Sequence, residues 1–201
     1  MSDKSKQDES KKDKNKPILK QIKEEQTAIK KYEQGLKFRI MTTRFDNKTE
    51  EENRLFREKN KIADYCTYGT PIKVSEKIKP DTRMIILEMN NEKNRIIGIG
   101  LVLNKLDYKT YNIYENSNYN RYCYLGKNRI SRSDSNEEEE LIFKILDKLC
   151  FEGKLHSKRG QGLKAFPSKI LYRCRNILDI ETELVNMFKN RKERNNKNQE
   201  N

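Results

Sequence analysis

Long apolar runs are missing from this sequence. Hydrophobic residues make up 33% of the 201 residues, against 37% charged residues. No run approaches the roughly 20 apolar residues that a transmembrane helix needs. The first residues, MSDKSKQDESKKDK, also lack the apolar segment of a secretory signal. We therefore expect a soluble, intracellular protein that neither spans a membrane nor is secreted.

The usual motifs of metal binding and catalysis are missing as well. The four cysteines, Cys66, Cys123, Cys150 and Cys174, have no C-x-x-C spacing, so we expect reduced thiols and no zinc site. His156 is the single histidine, and there is no G-x-x-x-x-G-K-S/T phosphate loop. Cys150 falls on the apolar stripe of a predicted helix, which is typical of a core residue rather than an activated thiolate. The sequence thus predicts no metal, cofactor or catalytic residue, and leaves a nuclease with scattered carboxylates as an alternative.

Positive charge exceeds negative charge, and polar residues concentrate at both ends of the chain. There are 44 Lys and Arg against 31 Asp and Glu, a formal net charge of +13. Such polar segments cannot bury enough apolar area to fold alone. We predict a basic, mostly disordered arm over residues 1–35, with a marginal helix from Ile18 to Tyr32. One α+β domain over 36–175 follows, and residues 176–201 form a helix from Ile180 to about Arg191 and a polar tail.

The centre of the predicted domain is a β-hairpin. Two apolar runs, Met84 to Met89 and Ile96 to Leu103, flank a polar turn that begins at Asn90. Both runs are apolar at nearly every position, so both faces must be covered, as in a barrel or in a sheet packed under helices. Gly98 and Gly100 lie on one face of the second strand. They mark either a tight barrel bend or a place where a flat ligand approaches.

Periodicity and capping patterns predict the remaining elements. Predicted strands cover Leu36 to Phe45, Pro71 to Val74, Tyr111 to Tyr114 and Arg121 to Gly126. Predicted helices run from Thr49 to Asp64, with Thr49 and Glu52 as a capping box, and from Glu137 to Phe151, with Ser135 and Glu138 as another.

One stretch near the C-terminal end is rich in cations and lacks acids. Between Gly153 and Arg175 there is no Asp or Glu, and the seven cations are Lys154, Lys158, Arg159, Lys164, Lys169, Arg173 and Arg175. Its HSKRGQG segment sets cations beside Gly160 and Gly162, which free the backbone to approach a phosphate. This pattern favours binding of a polyanion.

The order of elements resembles the opening half of YTH and EVE domains, members of the PUA-like superfamily. The corresponding segments are Ile40 to Thr43, Tyr65 to Thr67, Met84 to Asn90, and Gly98 to Val102. Those domains are compact β-barrels with flanking helices that bind RNA or modified bases. The resemblance therefore implies a small PUA-like β-barrel and a nucleic-acid reader, in which Tyr65 stands at the place of the first aromatic residue of the base cage.

The whole chain also resembles a protein family of large DNA viruses of protists, the mimivirus-like group. The segments EMNN, NYNRYCYLGKNRISR and CFEGKLHSKRGQGL carry this similarity. It implies no activity. It implies that the protein acts in the host cytoplasm or viral factory, or in the virion.

These observations predict a non-catalytic module for single-stranded RNA that reads a modified base, with RNA favoured over DNA. The predicted nucleic-acid-binding residues are Arg121, Lys158, Arg159 and Lys164 for phosphates and His156 for a supporting hydrogen bond. The predicted base pocket consists of Tyr65 and Tyr122 for stacking, Thr43 and Thr67 for polar contacts, and Gly98 and Gly100 as its floor. The alternatives are a virion or scaffold protein that binds DNA nonspecifically through its tails and the cation-rich loop, and a protein whose partner is another protein.

Overall fold

The computed structural model describes residues 3–153 and 156–199, with side chains from 17 to 194 within those ranges. The helices in these ranges are α1 (Asp3–Gly35), α2 (Asn47–Lys59), α3 (Glu137–Phe151), α4 (Ser168–Cys174) and α5 (Ile180–Gln199). The strands are β1 (Arg39–Phe45), β2 (Cys66–Thr70), β3 (Arg83–Asn90), β4 (Arg95–Leu103), β5 (Tyr122–Gly126), β6 (Asn128–Ser131) and β7 (Lys164–Ala165). The predicted α+β class is confirmed.

The strands form two sheets. A five-stranded sheet has the order β6-β4-β3-β1-β7, and β2 pairs with β5 in a separate two-stranded sheet. β1 and β3 run parallel, whereas the other neighbouring strands run antiparallel. Among the described strands no closed barrel is found.

The predicted hairpin is confirmed as β3 and β4, and both of its faces are covered. On one face Ile85, Leu87 and Ile99 pack in a buried cluster with residues of α3, α4 and α5. On the other face Met84 and Ile86 pack against β2 and β5. The almost continuous apolar pattern of the two strands follows from this burial on both sides.

The helices α2 and α3 are confirmed, although α2 ends at Lys59 rather than at Asp64, and each begins from a different cap than predicted. Asp46 caps α2 and accepts a hydrogen bond from the backbone N–H of Thr49 at 2.7 Å, so Thr49 is the third residue of the helix and not its cap. Asn136 caps α3 in the same way, through the N–H of Glu139 at 2.8 Å. Asp and Asn are strong N-cap residues, and the predicted capping boxes are wrong by three residues at α2 and by one residue at α3.

Two predicted strands are wrong. Neither Pro71 to Val74 nor Tyr111 to Tyr114 forms a strand. The strand in the first region is β2, which is enclosed and pairs with β5 over its whole length, from Cys66 opposite Gly126 to Thr70 opposite Tyr122. Pairing between segments so distant in the chain leaves no local pattern to detect.

The terminal helices are longer than expected. α1 begins at Asp3, so residues for which we expected a disordered arm are helical, and α5 continues beyond the predicted end at Arg191 to Gln199. Both stretches contain Lys residues, which favour helix. No helix of the described ranges has the length and apolar content that a bilayer crossing requires. The division into an arm, a domain and a tail stays a prediction.

Candidate binding site

A cavity of about 510 Å³ opens where β1 ends and α2 begins. Its walls are formed by the end of β1, the first turns of α2, the turn after β3, and parts of two loops, over 114–119 and 160–162. Because β1 and β3 are parallel and in register from Arg39 to Phe45, their carboxyl ends meet at this edge of the sheet. Cavities of several hundred Å³ are the usual size of small-ligand sites.

Arg44 forms a charged wall of this cavity. Its Nε donates a hydrogen bond to the carbonyl of Ser157 at 2.8 Å. Its Nη1 is enclosed and has no hydrogen-bond partner among the described residues. Burial lowers the pKa of Arg44 below its ordinary value, because desolvation disfavours the charged form. The guanidinium therefore remains partly unsatisfied at the cavity wall.

Two other enclosed arginines have carboxylate partners, whereas Arg44 has none among the described residues. Arg129 pairs with Glu88 at 2.6 Å, and Arg132 pairs with Asp147 at 2.7 Å. Removing a charge from water is costly unless an opposite charge compensates for it. Arg44 thus favours the binding of an anionic group at its own end of the cavity, whose lining also includes Lys48 and the carboxylates Asp46 and Glu52.

The backbone of the loop over residues 156–162 lies against Arg44. Gly160 and Gly162 have φ angles of +122° and +65°, a region that residues with side chains rarely adopt. A Cβ atom at Gly160 would lie 3.6 Å from Cζ of Arg44. The backbone N–H groups of residues 159–162 donate no hydrogen bond to the described chain. Successive free N–H groups beside a cation are typical of anion-binding loops.

Asn91 connects the hairpin turn to the same loop. Its backbone N–H donates to the carbonyl of Phe45 at 2.9 Å, and its Nδ2 donates to the carbonyl of Lys158 at 3.0 Å. Its Oδ1 is enclosed and accepts no hydrogen bond from the described residues. The site therefore contains an unpaired donor on Arg44 and an unpaired acceptor on Asn91, and buried polar groups are normally paired.

Two tyrosines form an aromatic wall. The rings of Tyr114 and Tyr119 meet edge to face, with centroids 6.1 Å apart. Burial raises the pKa of Tyr114, whose hydroxyl accepts a hydrogen bond from Nδ2 of Asn53 at 3.0 Å. Gly69 of β2 allows this wall to approach, because a Cβ atom there would overlap the carbonyl oxygen of Tyr119. Tyr119 is less enclosed than Tyr114, so its ring is accessible to a flat ligand.

The cavity includes one of the predicted base-pocket residues, Thr43. Tyr65 is half-buried just before β2, outside the cavity wall. Thr67 is buried, and its carbonyl accepts a hydrogen bond from Asn53 at 2.8 Å. The ring of Tyr122 lies under the ammonium group of Lys73, which is 5.4 Å from the ring centroid. The structure does not bring these three residues together with Thr43.

Gly98 and Gly100 lie apart from the cavity, and side chains fill the space above them. A Cβ atom at Gly98 would be 2.6 Å from Oε2 of Glu88 and 2.8 Å from Nη2 of Arg129. A Cβ atom at Gly100 would overlap the hydroxyl of Tyr68. These glycines make room for a buried polar cluster, and they do not form the floor of the cavity.

The predicted phosphate contacts do not line the cavity, but they are close in the chain to residues that do. Arg159 and Lys164 are exposed on either side of the 160–162 segment. Lys158 is half-buried, and its ammonium group is 6.0 Å from the centroid of the Phe151 ring. Arg121 is exposed directly after the turn that contains Tyr119.

His156 and Lys154 also belong to the cation-rich stretch. His156 is half-buried, and its Nδ1 is enclosed without a hydrogen-bond partner among the described residues. Lys154 lies outside the described residues.

Sequence reasoning missed four residues of the site: Arg44, Asn91, Tyr114 and Tyr119. Arg44 directly follows the hydroxyl pair Thr42 and Thr43, and Asn91 lies in the predicted turn of the hairpin, so both were adjacent to residues already singled out. Nothing in the sequence near Arg44 or Asn91 indicates that the side chain has an enclosed polar atom without a hydrogen-bond partner.

Comparison of the chain with protein-family models, with curated proteins and with solved structures finds no match in any of the three. The functional inference therefore depends on the site alone.

Proposed function

We propose that this protein is a non-catalytic module that binds single-stranded RNA in the cavity beside Arg44. The observation that carries the proposal is the desolvated guanidinium of Arg44, which has an enclosed, unpaired Nη1 and no carboxylate partner among the described residues. A phosphate oxygen would supply the missing negative charge and would accept from Nη2, which forms no hydrogen bond with the described residues and is not among the enclosed atoms.

The surroundings of Arg44 support a phosphate as the anion. The free backbone N–H groups of residues 159–162 add donors at the same wall. The exposed Arg159 and Lys164 flank these donors and would neutralise neighbouring phosphates of a strand. Such contacts hold the backbone without reading its sequence.

Selection of a base would involve Asn91 and Tyr119. Base edges carry acceptors beside donors, so one edge could pair with the amide of Asn91, which lines the cavity and whose Oδ1 is unpaired. A base that leaves its stack would lie against the accessible ring of Tyr119. Splayed single-stranded bases are recognised in this way, whereas paired bases are not accessible.

We also propose that β2 and β5 close the five-stranded sheet into a PUA-like barrel. Its support is the close approach of the two sheets. The thiol of Cys66 lies 3.6 Å from the carbonyl oxygen of Leu101 in β4 and 3.5 Å from that of Asn128 in β6. A Cβ atom at Gly126 of β5 would overlap the carbonyl oxygen of Leu101.

The test is binding of the full-length protein to labelled single-stranded RNA, single-stranded DNA and duplex RNA at two salt concentrations. The full chain is needed because Ile180 and Leu184 of α5 are buried in the core. We expect Arg44→Gln to weaken binding of single-stranded RNA about tenfold and to lower the salt slope by about 0.7. Arg83→Gln is the matched control, because Arg83 is exposed at the opposite end of β3.

A second variant pair tests stacking. Tyr119→Ala should weaken binding about tenfold, since one base–aromatic stack contributes about 1–3 kcal/mol. Tyr108→Ala is its control, because Tyr108 is 91% exposed and lies outside the cavity. Equal affinities of the two arginine variants, or equal binding of all nucleic acids, would overturn the proposal in favour of nonspecific binding through the tails.

A further inference from the structure

A second cavity, of about 520 Å³, lies on the other side of α2 from the cavity beside Arg44. Its walls come from α2, from the end of β3 and from β6 with the turn that follows it. We refer to it as the α2–β6 groove. Phe45, the last residue of β1, lines both cavities. Both cavities therefore begin at the end of β1, and α2 lies between them.

Arg57 is the unusual residue of this groove. It is 7% exposed, and its Nε and Nη1 donate to Oδ1 of Asn53 at 3.1 Å and to the carbonyl of Ala63 at 2.8 Å. Both acceptors are neutral. Burial lowers the pKa of Arg57, and the nearby Arg129 lowers it further. Arg57 is therefore a second enclosed cation without an ion pair among the described residues.

Among the carboxylates of the described groove wall, Glu88 alone is buried. Its two oxygens are already hydrogen-bonded. Its Oε2 accepts from Nη2 of Arg129 at 2.6 Å, and its Oε1 accepts from Nε of Arg129 at 3.0 Å and from the hydroxyl of Tyr68 at 2.8 Å. The cluster of Arg57, Arg129 and Glu88 contains two cations and one anion. Within this cluster one positive charge is not compensated, and the other carboxylates of the groove wall, Glu50, Glu58, Asp64 and Asp134, are not buried.

Two donors of this cluster have no acceptor. Nη2 of Arg57 and Nη1 of Arg129 form no hydrogen bond with the described residues. Neither nitrogen is among the described side-chain atoms that are both inaccessible to solvent and without a partner. Both nitrogens therefore have access to solvent, and both residues line the groove. Ser131, also in the groove wall, adds a hydroxyl.

We propose that the α2–β6 groove binds a phosphate-type oxyanion between Arg57 and Arg129. Two planar guanidinium groups match the oxygens of a phosphate, and the anion would compensate the extra charge. The phosphate could belong to the backbone of a bound nucleic acid or to a free phosphate, and the chemistry of the site is the same for both. The site stands on its own residues and does not require the cavity beside Arg44 to bind RNA.

The first experiment uses the unmodified full-length protein, so that no variant has to fold. The guanidinium Nε–H signals of Arg57 and Arg129 are followed by NMR during titration with inorganic phosphate, and with chloride at equal ionic strength. We expect saturable shifts with phosphate alone. No shift, or equal shifts with chloride, would overturn the proposal and leave Arg57 as a structural link between α2 and the loop at Ala63.

Two variants test whether phosphate binds at Arg57. Arg57→Met keeps most of the buried alkyl chain, and we expect it to weaken phosphate binding about tenfold. Lys59→Met removes the same charge from an exposed position near the end of α2 and should leave phosphate binding unchanged. Equal loss in both variants would overturn the site, because it would show that only net charge matters. If Arg57→Met does not fold, the shifts in the unmodified protein still decide the question.

Competition separates the two sources of phosphate. If the groove takes a backbone phosphate, a short single-stranded RNA shifts the Arg57 signal and inorganic phosphate reverses part of its binding. If it takes a free phosphate, RNA leaves that signal unchanged. Arg44→Gln should leave the phosphate response of Arg57 intact in either case. A saturable response of Arg57 in a protein that binds no RNA would therefore overturn the proposed function and support the groove.

Discussion

The carboxylate of Glu88 and the guanidinium of Arg129 form an ion pair that crosses Gly98. Glu88 lies opposite Gly98 in the pairing of β3 with β4, and Arg129 lies opposite Gly100 in the pairing of β4 with β6. The two side chains reach each other above the glycines, with Nη2 2.6 Å from Oε2. The glycines of β4 thus serve a buried polar cluster inside the sheet.

We expect Glu88→Gln to lower the free energy of unfolding by about 3 kcal/mol, because it leaves Arg129 buried without its counter-ion. Urea unfolding measures the change. Glu51→Gln is the control, since Glu51 pairs with Arg54 on the exposed face of α2 and such pairs contribute little. Equal destabilisation by the two substitutions would contradict this account of the Glu88 pair.

Gly98→Ala and Gly100→Ala should each destabilise the fold by about 1–3 kcal/mol, because the added methyl group meets packed atoms on neighbouring strands. The loss should be greater at Gly100, where the methyl group overlaps both the Tyr68 hydroxyl and Cys66. Thermal unfolding compares both with Gly35→Ala, which has no atom within 4 Å of the new Cβ and should not destabilise. An unchanged midpoint for Gly100→Ala would show that the space above it is open.

Glu139 should make stability depend on acid pH. Burial alone would raise its pKa, but hydrogen bonds from Arg191 and Arg194 outweigh burial, and the pKa lies below its ordinary 4.5. A carboxyl whose pKa is lower in the folded state stabilises that state above the ordinary value, and the contribution is lost as pH falls through the folded pKa. Glu139→Gln should therefore cost about 1.5–3 kcal/mol at pH 7 and progressively less below about pH 4.5.

Urea unfolding at several pH values from neutral to acid measures this dependence. Glu138→Gln is the comparison, because Glu138 is exposed in the same turn of α3 and has no ion pair among the described residues. A difference between wild type and Glu139→Gln that stays constant down to pH 3 would argue against the pairing with Arg191 and Arg194.

The cysteines should react slowly in the folded protein, with Cys174 first. Burial raises the pKa of the Cys66 and Cys150 thiols to about 12, so almost no reactive thiolate is present at pH 8. Cys174 is half-buried. Labelling with a coloured disulfide reagent, followed by peptide mapping, gives the order. Rapid modification of Cys150 in the native protein would revive a cysteine-nucleophile enzyme as an alternative.

Local sequence patterns determined much of the fold. α3 has the predicted bounds, from Glu137 to Phe151, because an amphipathic stripe and a cap are both local features. The hairpin of β3 and β4 follows from two apolar runs and a polar turn. The cation-rich HSKRGQG segment contains Gly160 and Gly162, which line the cavity.

Tertiary structure alone decided which residues face that cavity. Arg44 becomes an enclosed, unpaired cation because a loop more than one hundred residues later covers it through Ser157, and no local pattern records such a contact. The same holds for Gly98 and Gly100, whose partners Glu88, Arg129 and Tyr68 come from three other strands. Periodicity shows which face of an element is apolar, but burial and charge compensation arise only when distant segments pack together.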